Sequence, residues 1–131
     1  MLNPFPTLLY LTFFAPTLLR VAAALVFFYV AYTQYRHHDE ISRLPFPVIG
    51  GAQFIWLAAI FHIAVGSMLL FGYYTQIASL LAIVGLIKGL WLNRRYPSVV
   101  ILPNSTILLL LVICLSLLIT GAGAFAFDIP L

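Results

Sequence analysis

The sequence predicts an all-α fold, an antiparallel bundle of four transmembrane helices. Apolar residues make up 64% of the 131 positions and charged residues only 7%, which leaves too few polar side chains to cover a water-soluble surface. Four apolar runs, each of about the 20 residues that cross a bilayer, are separated by short polar segments. We therefore expect residues 1–131 to form a single membrane domain surrounded by a lipid bilayer.

Prolines, glycines and polar residues mark the limits of the four expected spans. Pro16 suits the first turn of a helix, because its missing N–H would have no partner there, and glycine is the usual residue just after a helix end. Residues 1–15 are expected to lie at the membrane interface as a lead-in, since Pro4 and Pro6 delay helix formation. The expected spans are residues 16–35, 51–72, 75–92 and 105–120.

Basic residues predict the orientation of the bundle. The connections after spans one and three each contain two arginines, whereas the connection after span two and both ends contain none. We expect the chain to lie in the plasma membrane, the inner membrane of a prokaryote, and the positive-inside rule places both termini outside, on the periplasmic side. The arginines are Arg36, Arg43, Arg94 and Arg95. They form no continuous basic stripe, so a nucleic-acid partner is not expected.

One face of the third span carries small residues at intervals of four, three and four. Small side chains let a neighbouring helix approach closely within a membrane, and we expect Gly66 to have the same role in span two. The residues of span three are Ala78, Ala82, Gly85 and Gly89. Arg20 and His62 lie on similar small-residue faces of spans one and two, which directs both toward the bundle interior.

Ionisable residues within the spans are the candidate functional residues. An ionised side chain at mid-span costs about 2.5 to 3.5 kcal/mol, so an interior position is favoured. His62 is either a neutral imidazole bonded within the core or a group that transfers a proton or contacts a quinone. Lys88 either extends toward the cytoplasmic headgroups or contributes to an intramembrane polar site with His62 and Trp56.

Arg20 is expected to form an ion pair with Asp128, the only acidic residue on the outer side in this topology. An arginine stays charged at any accessible pH and requires an acceptor inside the membrane. The pair either holds the C-terminal tail over the mouth of the bundle or belongs to a substrate site.

Several classes of catalytic site are not expected. Cys114 is the single cysteine, which excludes an intramolecular disulfide and a redox-active cysteine pair. The polar residues 37–40 are adjacent in sequence and do not converge on one ion, so a metal site is not expected. The sequence contains no GxSxG, GxxxxGK or GxGxxG motif, the patterns of acyl transfer and phosphate binding.

Three short motifs resemble those of DoxX-like proteins. Leu18-Leu19-Arg20 is similar to the arginine-containing start of the family's first span. Gly66, together with the stretch from Gly72 to Ala78, is similar to the end of the second span and its tight turn. The stretch GAGAFAFD, residues 121–128, keeps both glycines, the aromatic residue and the aspartate of a C-terminal sequence that members often carry as GPGRFSLD.

The resemblance implies a four-helix membrane fold with no obligatory cofactor. Some members of the family are similar to the membrane subunit of a thiosulfate:quinone oxidoreductase, and others are linked to redox-stress complexes. His62 replaces a glutamate commonly found four residues before the glycine of span two, and Ala124 and Ala126 replace an arginine and a serine. The missing carboxylate weighs against a function that depends on it, although a histidine also transfers protons.

The expected function is that of a DoxX-like integral membrane subunit that anchors or assembles a partner, such as a quinone-linked oxidoreductase. The short connections favour a non-enzymatic role, and the partner is another protein or further copies of the chain. Two alternatives stay open. In the first, the bundle is itself a quinone-binding redox enzyme in which His62 exchanges a proton. In the second, an oligomer of the chain transports a small solute.

Overall fold

The computed structural model describes residues 11–43, 50–97, 102–123 and 125–127, and these ranges contain no strand. A short 3₁₀ turn over residues 11–14 leads into the first helix. The α-helices within the described ranges are α1 (Ala15–Arg36), α2 (His38–Ser42), α3 (Gly51–Phe71), α4 (Thr75–Arg95) and α5 (Asn104–Thr120). The predicted all-α class is confirmed.

Length and composition identify the helices that cross the membrane. Leu11–Arg36, Gly51–Phe71 and Thr75–Arg95 are each long and apolar enough to do so. The apolar helix α5 is shorter, at 17 residues, which corresponds to about 25 Å of helix against a hydrocarbon core of about 30 Å. The described chain is therefore a helical bundle of the multi-pass membrane type.

The four long helices pack in a ring, with successive members antiparallel. The most extensive packing joins α1 to α3 and α4 to α5, and contacts of α1 with α5 and of α3 with α4 close the ring. Residues 72–74 make the tight connection between α3 and α4. At the opposite end, Asn93 Nδ2 donates a hydrogen bond to Asn104 Oδ1 at 2.6 Å, which joins the end of α4 to the start of α5.

The helices differ from the expected spans mainly near the arginines. The helix α4 continues to Arg95, three residues past the expected span, because its last turn carries the basic side chains that a helix C-terminus favours. The polar segment after α1 forms the additional helix α2, which packs on α3. Residues 1–10 of the expected lead-in lie outside the described residues.

Small residues bring the helices together in the core. Ala78 and Ala82 are fully buried, in a cluster that includes Cys114 of α5. A Cβ atom added to Gly66 would lie 3.2 Å from the Phe28 ring, and one added to Gly85 would lie 2.7 Å from the Phe61 ring. Both glycines therefore leave room for an aromatic ring of a neighbouring helix.

Gly72 ends α3 in the left-handed conformation, with φ of 66°. The Gly72 N–H donates to the Leu69 carbonyl at 3.3 Å, and the Tyr73 N–H donates to the Met68 carbonyl at 3.0 Å. This pair of bonds is the Schellman motif, which satisfies the last carbonyls of a helix. A Cβ atom on Gly72 would also collide with Nη1 of Arg20 and lie 2.7 Å from Cβ of Ala126. Glycine is required here by conformation and by space.

Substituting Gly72→Ala is expected to lower the free energy of unfolding by about 2 kcal/mol or more. The left-handed backbone alone costs a residue with a Cβ about 1 to 2 kcal/mol, and the contact with Arg20 adds to it. Denaturant titration of the protein in detergent micelles would measure the change. Gly50→Ala is the matched control, because Gly50 has φ of −54° and a Cβ there meets nothing within 4 Å. Equal stability of the two variants would contradict the prediction.

Candidate functional site

Arg20 is a buried charge near the start of α1, with 1% of its surface exposed. Its Nη1 donates to the Ala122 carbonyl at 2.7 Å and its Nη2 donates to the Phe125 carbonyl at 3.2 Å. Both acceptors belong to the segment that follows α5, more than a hundred positions along the chain. The guanidinium therefore joins the start of α1 to the C-terminal segment.

The C-terminal segment (residues 121–123 and 125–127) crosses this end of the bundle. Gly121 and Gly123 have φ of 76° and 70°, conformations that glycine adopts without strain. A Cβ on Gly123 would lie 2.8 Å from Cβ of Pro16, so the backbone runs directly against the start of α1. The Phe127 N–H donates to the Phe71 carbonyl at 3.4 Å, which also ties the segment to the end of α3.

Asp128, the expected partner of Arg20, lies outside the described residues, as does Ala124. The Arg20–Asp128 ion pair therefore stays a prediction. The bonds of Arg20 to Ala122 and Phe125 favour the structural alternative for this arginine, because they already hold the C-terminal segment against the start of α1.

His62 lies half-buried on α3, between two aromatic rings. Its Nδ1 is 2.6 Å from the carbonyl of Ala58, one turn earlier in the helix. This contact assigns the proton to Nδ1, so Nε2 of the neutral ring is a hydrogen-bond acceptor. The centroids of the Phe27 and Phe61 rings lie 5.8 Å and 5.7 Å from that of the imidazole. Packing thus fixes the ring position, and the backbone bond fixes its tautomer.

A pocket of about 120 Å³ lies between the long helices, in the half of the bundle away from Arg20. Its polar side chains are His62 of α3 and Gln34 of α1. Within the described residues, the buried Oε1 of Gln34 has no hydrogen-bond partner. A Cβ on Gly89 would meet nothing within 4 Å, so this glycine leaves space in the pocket. The remaining lining residues are Val30, Phe54, Gly85, Leu86, Leu92, Leu102 and Ile107.

The structure does not bring Lys88 and Trp56 into this pocket with His62. Lys88 is exposed on the outside of α4. Trp56 is 58% exposed, and its ring centroid lies 6.1 Å from that of Tyr35 in an edge-on arrangement. Of the three residues that the sequence predicts for an intramembrane polar site, His62 lines this pocket and Lys88 and Trp56 do not; the second polar side chain in the lining is Gln34.

Gln34 was missed by sequence reasoning, although a signal for it was present. The interior face of α1 repeats at intervals of four and three, and the next step of that repeat reaches Gln34. The buried members of the face are Arg20, Ala24, Phe27 and Ala31. A glutamine at the following position on a buried helix face indicates a polar group directed into the bundle.

The described residues contain no group of three His, Cys, Asp or Glu side chains placed to hold a metal ion. In the polar segment after α1, His38 Nε2 lies 3.0 Å from Asp39 Oδ1, and both side chains are exposed. This pair is a local surface contact on α2, and neither residue lines the pocket between the helices.

An antiparallel bundle of apolar helices with a buried arginine at one end and a mainly apolar pocket in the other half defines a small polytopic membrane protein. A family model described as DoxX matches residues 15–92. The chain belongs to the DoxX family, as the motif resemblance predicted. The matched range contains Arg20, His62 and Gly72 and ends before α5 and the C-terminal segment. Comparisons with curated proteins and with solved structures gave no match.

Substituting Arg20→Gln is expected to release the C-terminal segment and to lower the free energy of unfolding by about 3 kcal/mol. Each hydrogen bond from a charged group contributes about 1.5 to 3 kcal/mol, and two of them join Arg20 to this segment. Chymotrypsin should then cleave after Phe125 or Phe127 faster than in the parent. Arg36→Gln removes an exposed arginine from the other end of α1 and serves as the control. An unchanged cleavage rate in Arg20→Gln would contradict this role.

The predicted pair of Arg20 and Asp128 is tested by a double-mutant cycle. Asp128→Asn should destabilise the parent but have little effect in the Arg20→Gln background, with a coupling energy of about 1 kcal/mol or more. Denaturant titrations of the four proteins in micelles supply the cycle. Additive effects of the two substitutions would show that the side chains do not interact.

Proposed function

We propose that the chain is the membrane subunit of a quinone-linked oxidoreductase complex, and that the pocket between its helices binds the quinone headgroup. The observation that carries the proposal is that two polar side chains, His62 and Gln34, line an otherwise apolar pocket. The buried Oε1 of Gln34 has no hydrogen-bond partner among the described residues. A buried polar atom without a partner is costly. A ligand that donates a hydrogen bond to Gln34 Oε1, as the hydroxyl group of a quinol does, would remove that cost.

The size and walls of the pocket suit a single aromatic or quinonoid ring. Its volume is about 120 Å³, close to that of an engineered cavity of about 150 Å³ that binds benzene. Phe54, Leu86 and Ile107 supply apolar walls. Gly89 contributes no side chain on its side of the pocket, so a flat ring has room beside α4.

The two polar side chains match the two redox forms of such a ring. A quinone carries carbonyl oxygens that accept hydrogen bonds, and a quinol carries hydroxyl groups that donate them. The Gln34 amide both donates and accepts, and His62 Nε2 accepts when the ring is neutral and donates when it is protonated. A bound quinone would supply two-electron, two-proton chemistry. The chain would orient the ring, exclude water and hold a proton at His62 Nε2.

The proposal requires a partner that delivers or removes the electrons. The described connections are short, consisting of the five-residue helix α2, the turn over residues 72–74 and the ends of the helices. Anchoring a redox protein beside the pocket would place its redox centre close enough for electron transfer to the quinone ring. This arrangement unites the two expected roles of the family, assembly of a complex and a link to quinone.

Quinone binding is expected to depend on Gly89 and His62. Gly89→Leu should fill the pocket and reduce affinity for a short-chain ubiquinone analogue by more than tenfold, since a Cβ there meets open space and the fold is retained. His62→Leu should reduce affinity about tenfold, the loss of one strong hydrogen bond. Calorimetric titration of the purified protein in detergent would measure both affinities.

Ala64→Leu is the matched control for these variants, because Ala64 is exposed on the same helix as His62. Its affinity should equal that of the parent. A parent protein that binds no quinone, or Gly89→Leu and His62→Leu variants that bind it as well as the parent, would rule out the pocket as the quinone site.

The expected partner can be recovered by affinity purification in a mild detergent followed by mass spectrometry. A protein that carries a flavin, haem or iron–sulfur centre should co-purify in constant ratio with the chain. Repeated recovery of the chain alone, from membranes in which it is expressed at its native level, would contradict the subunit role.

A further inference from the structure

The face of α4 that points away from the bundle carries four exposed residues at intervals of four, three and four. We call them the α4 stripe, and they are Val84, Lys88, Trp91 and Arg95. At about 100° per residue these positions fall within about 60° of one another around the helix. Val84 is 49% exposed and Trp91 is 62% exposed, and both cationic residues are exposed as well. The stripe therefore forms one continuous exposed face of a membrane-crossing helix.

The Arg95 end of the α4 stripe has the features of the membrane–water interface. Tryptophan is enriched at the headgroup level of membrane proteins. The guanidinium carbon of Arg95 lies 5.9 Å from the centroid of the Trp91 ring, a cation–π contact that holds the arginine along the helix surface. The charge of Arg95 is thus placed beside the apolar face of α4, where lipid headgroups meet acyl chains.

Lys88 lies seven residues before Arg95, about 10 Å further into the membrane. The negative end of the helix dipole accounts for Arg94 and Arg95, which occupy the last turn of α4. It does not account for Lys88, because the effect fades beyond the last turn. Among the described residues, no carboxylate lies within ion-pair distance of Lys88 or Arg95. The stripe therefore presents two cations without a carboxylate partner in this part of the chain.

We propose that the α4 stripe binds an anionic phospholipid, with the phosphate held between Lys88 and Arg95. Side chains of a helix lean toward its N-terminus, so the Lys88 ammonium cannot extend fully to the level of Arg95. A phosphate between the two levels contacts both cations, and its acyl chains extend along Val84. Two cations favour a headgroup with a net negative charge over a zwitterionic one, whose own cation they would repel.

The α4 stripe is separate from the quinone pocket. Gly85, Leu86 and Gly89 line the pocket from the inner side of the same helix, whereas Lys88 and Trp91 do not line it. Lipid bound at the stripe would cover the membrane-facing side of α4 at the same depth as the pocket on its inner side. The site does not require that quinone bind at all.

Trp91 provides a direct probe of the stripe. The chain contains two tryptophans, and the second, Trp56, is exposed on α3. The variant Trp56→Phe therefore leaves Trp91 as the only indole. We would reconstitute this variant in phosphatidylcholine vesicles and measure quenching of Trp91 fluorescence by brominated phosphatidylglycerol and by brominated phosphatidylcholine. The ratio of the two relative binding constants reports preference for the anionic headgroup.

Phosphatidylglycerol is expected to quench Trp91 with a higher relative binding constant than phosphatidylcholine. Lys88→Gln and Arg95→Gln should each lower the ratio about fivefold, the effect of one cation near an anionic membrane surface. Arg95→Lys should retain most of the preference, since it keeps the charge. Arg36→Gln removes an equal charge from an exposed position at the end of α1 and should leave the ratio unchanged.

Four outcomes would overturn the lipid site. Equal quenching by the two lipids would mean that the stripe does not recognise headgroup charge. A loss in Arg36→Gln as large as that in Lys88→Gln would mean that only net charge matters. Weak quenching by both lipids would mean that protein covers the stripe, as at an interface with another helix. Added inorganic phosphate should not displace phosphatidylglycerol, and displacement would assign the stripe to an anion from solution.

Discussion

The architecture depends on the buried guanidinium of Arg20. A charge inside a membrane protein requires acceptors, and the carbonyls of Ala122 and Phe125 supply them. Those carbonyls follow α5, and the Gly72 turn that follows α3 lies directly against the same guanidinium. One side chain of α1 thereby fixes the relative positions of three helix ends, and glycines at the points of closest approach make the arrangement possible.

Small residues of α4 have different effects in the two halves of the bundle. In the half that contains Arg20, Ala78 and Ala82 are fully buried, and their small size brings α4 against α5. In the other half, Gly89 has no neighbour within reach of a Cβ, and space remains beside His62. Close packing stabilises one half, and incomplete packing leaves a pocket in the other.

His62 stands in span two at the position where the DoxX resemblance implies a glutamate. A carboxylate in this position would be charged or would carry a single acidic proton, whereas the imidazole is fixed by Ala58 at Nδ1 and presents Nε2 for a second bond. Gln34 adds an amide that stays neutral at any pH. Two neutral polar side chains are less costly within a membrane than an ionised group.

The sequence by itself determined the all-α membrane class and the interior position of Arg20, because composition, helix-length apolar runs and the cost of a lipid-facing charge are properties of the chain alone. The resemblance of its short motifs indicated the DoxX family. Only the tertiary structure decided that Gln34 lines the pocket with His62 and that Lys88 lies outside it. Helix α2 also emerged only from the structure. The physical reason is that lipid is as apolar as the core. Buried and lipid-facing positions then carry similar residues, and the helix face that points inward is set by packing with its neighbours.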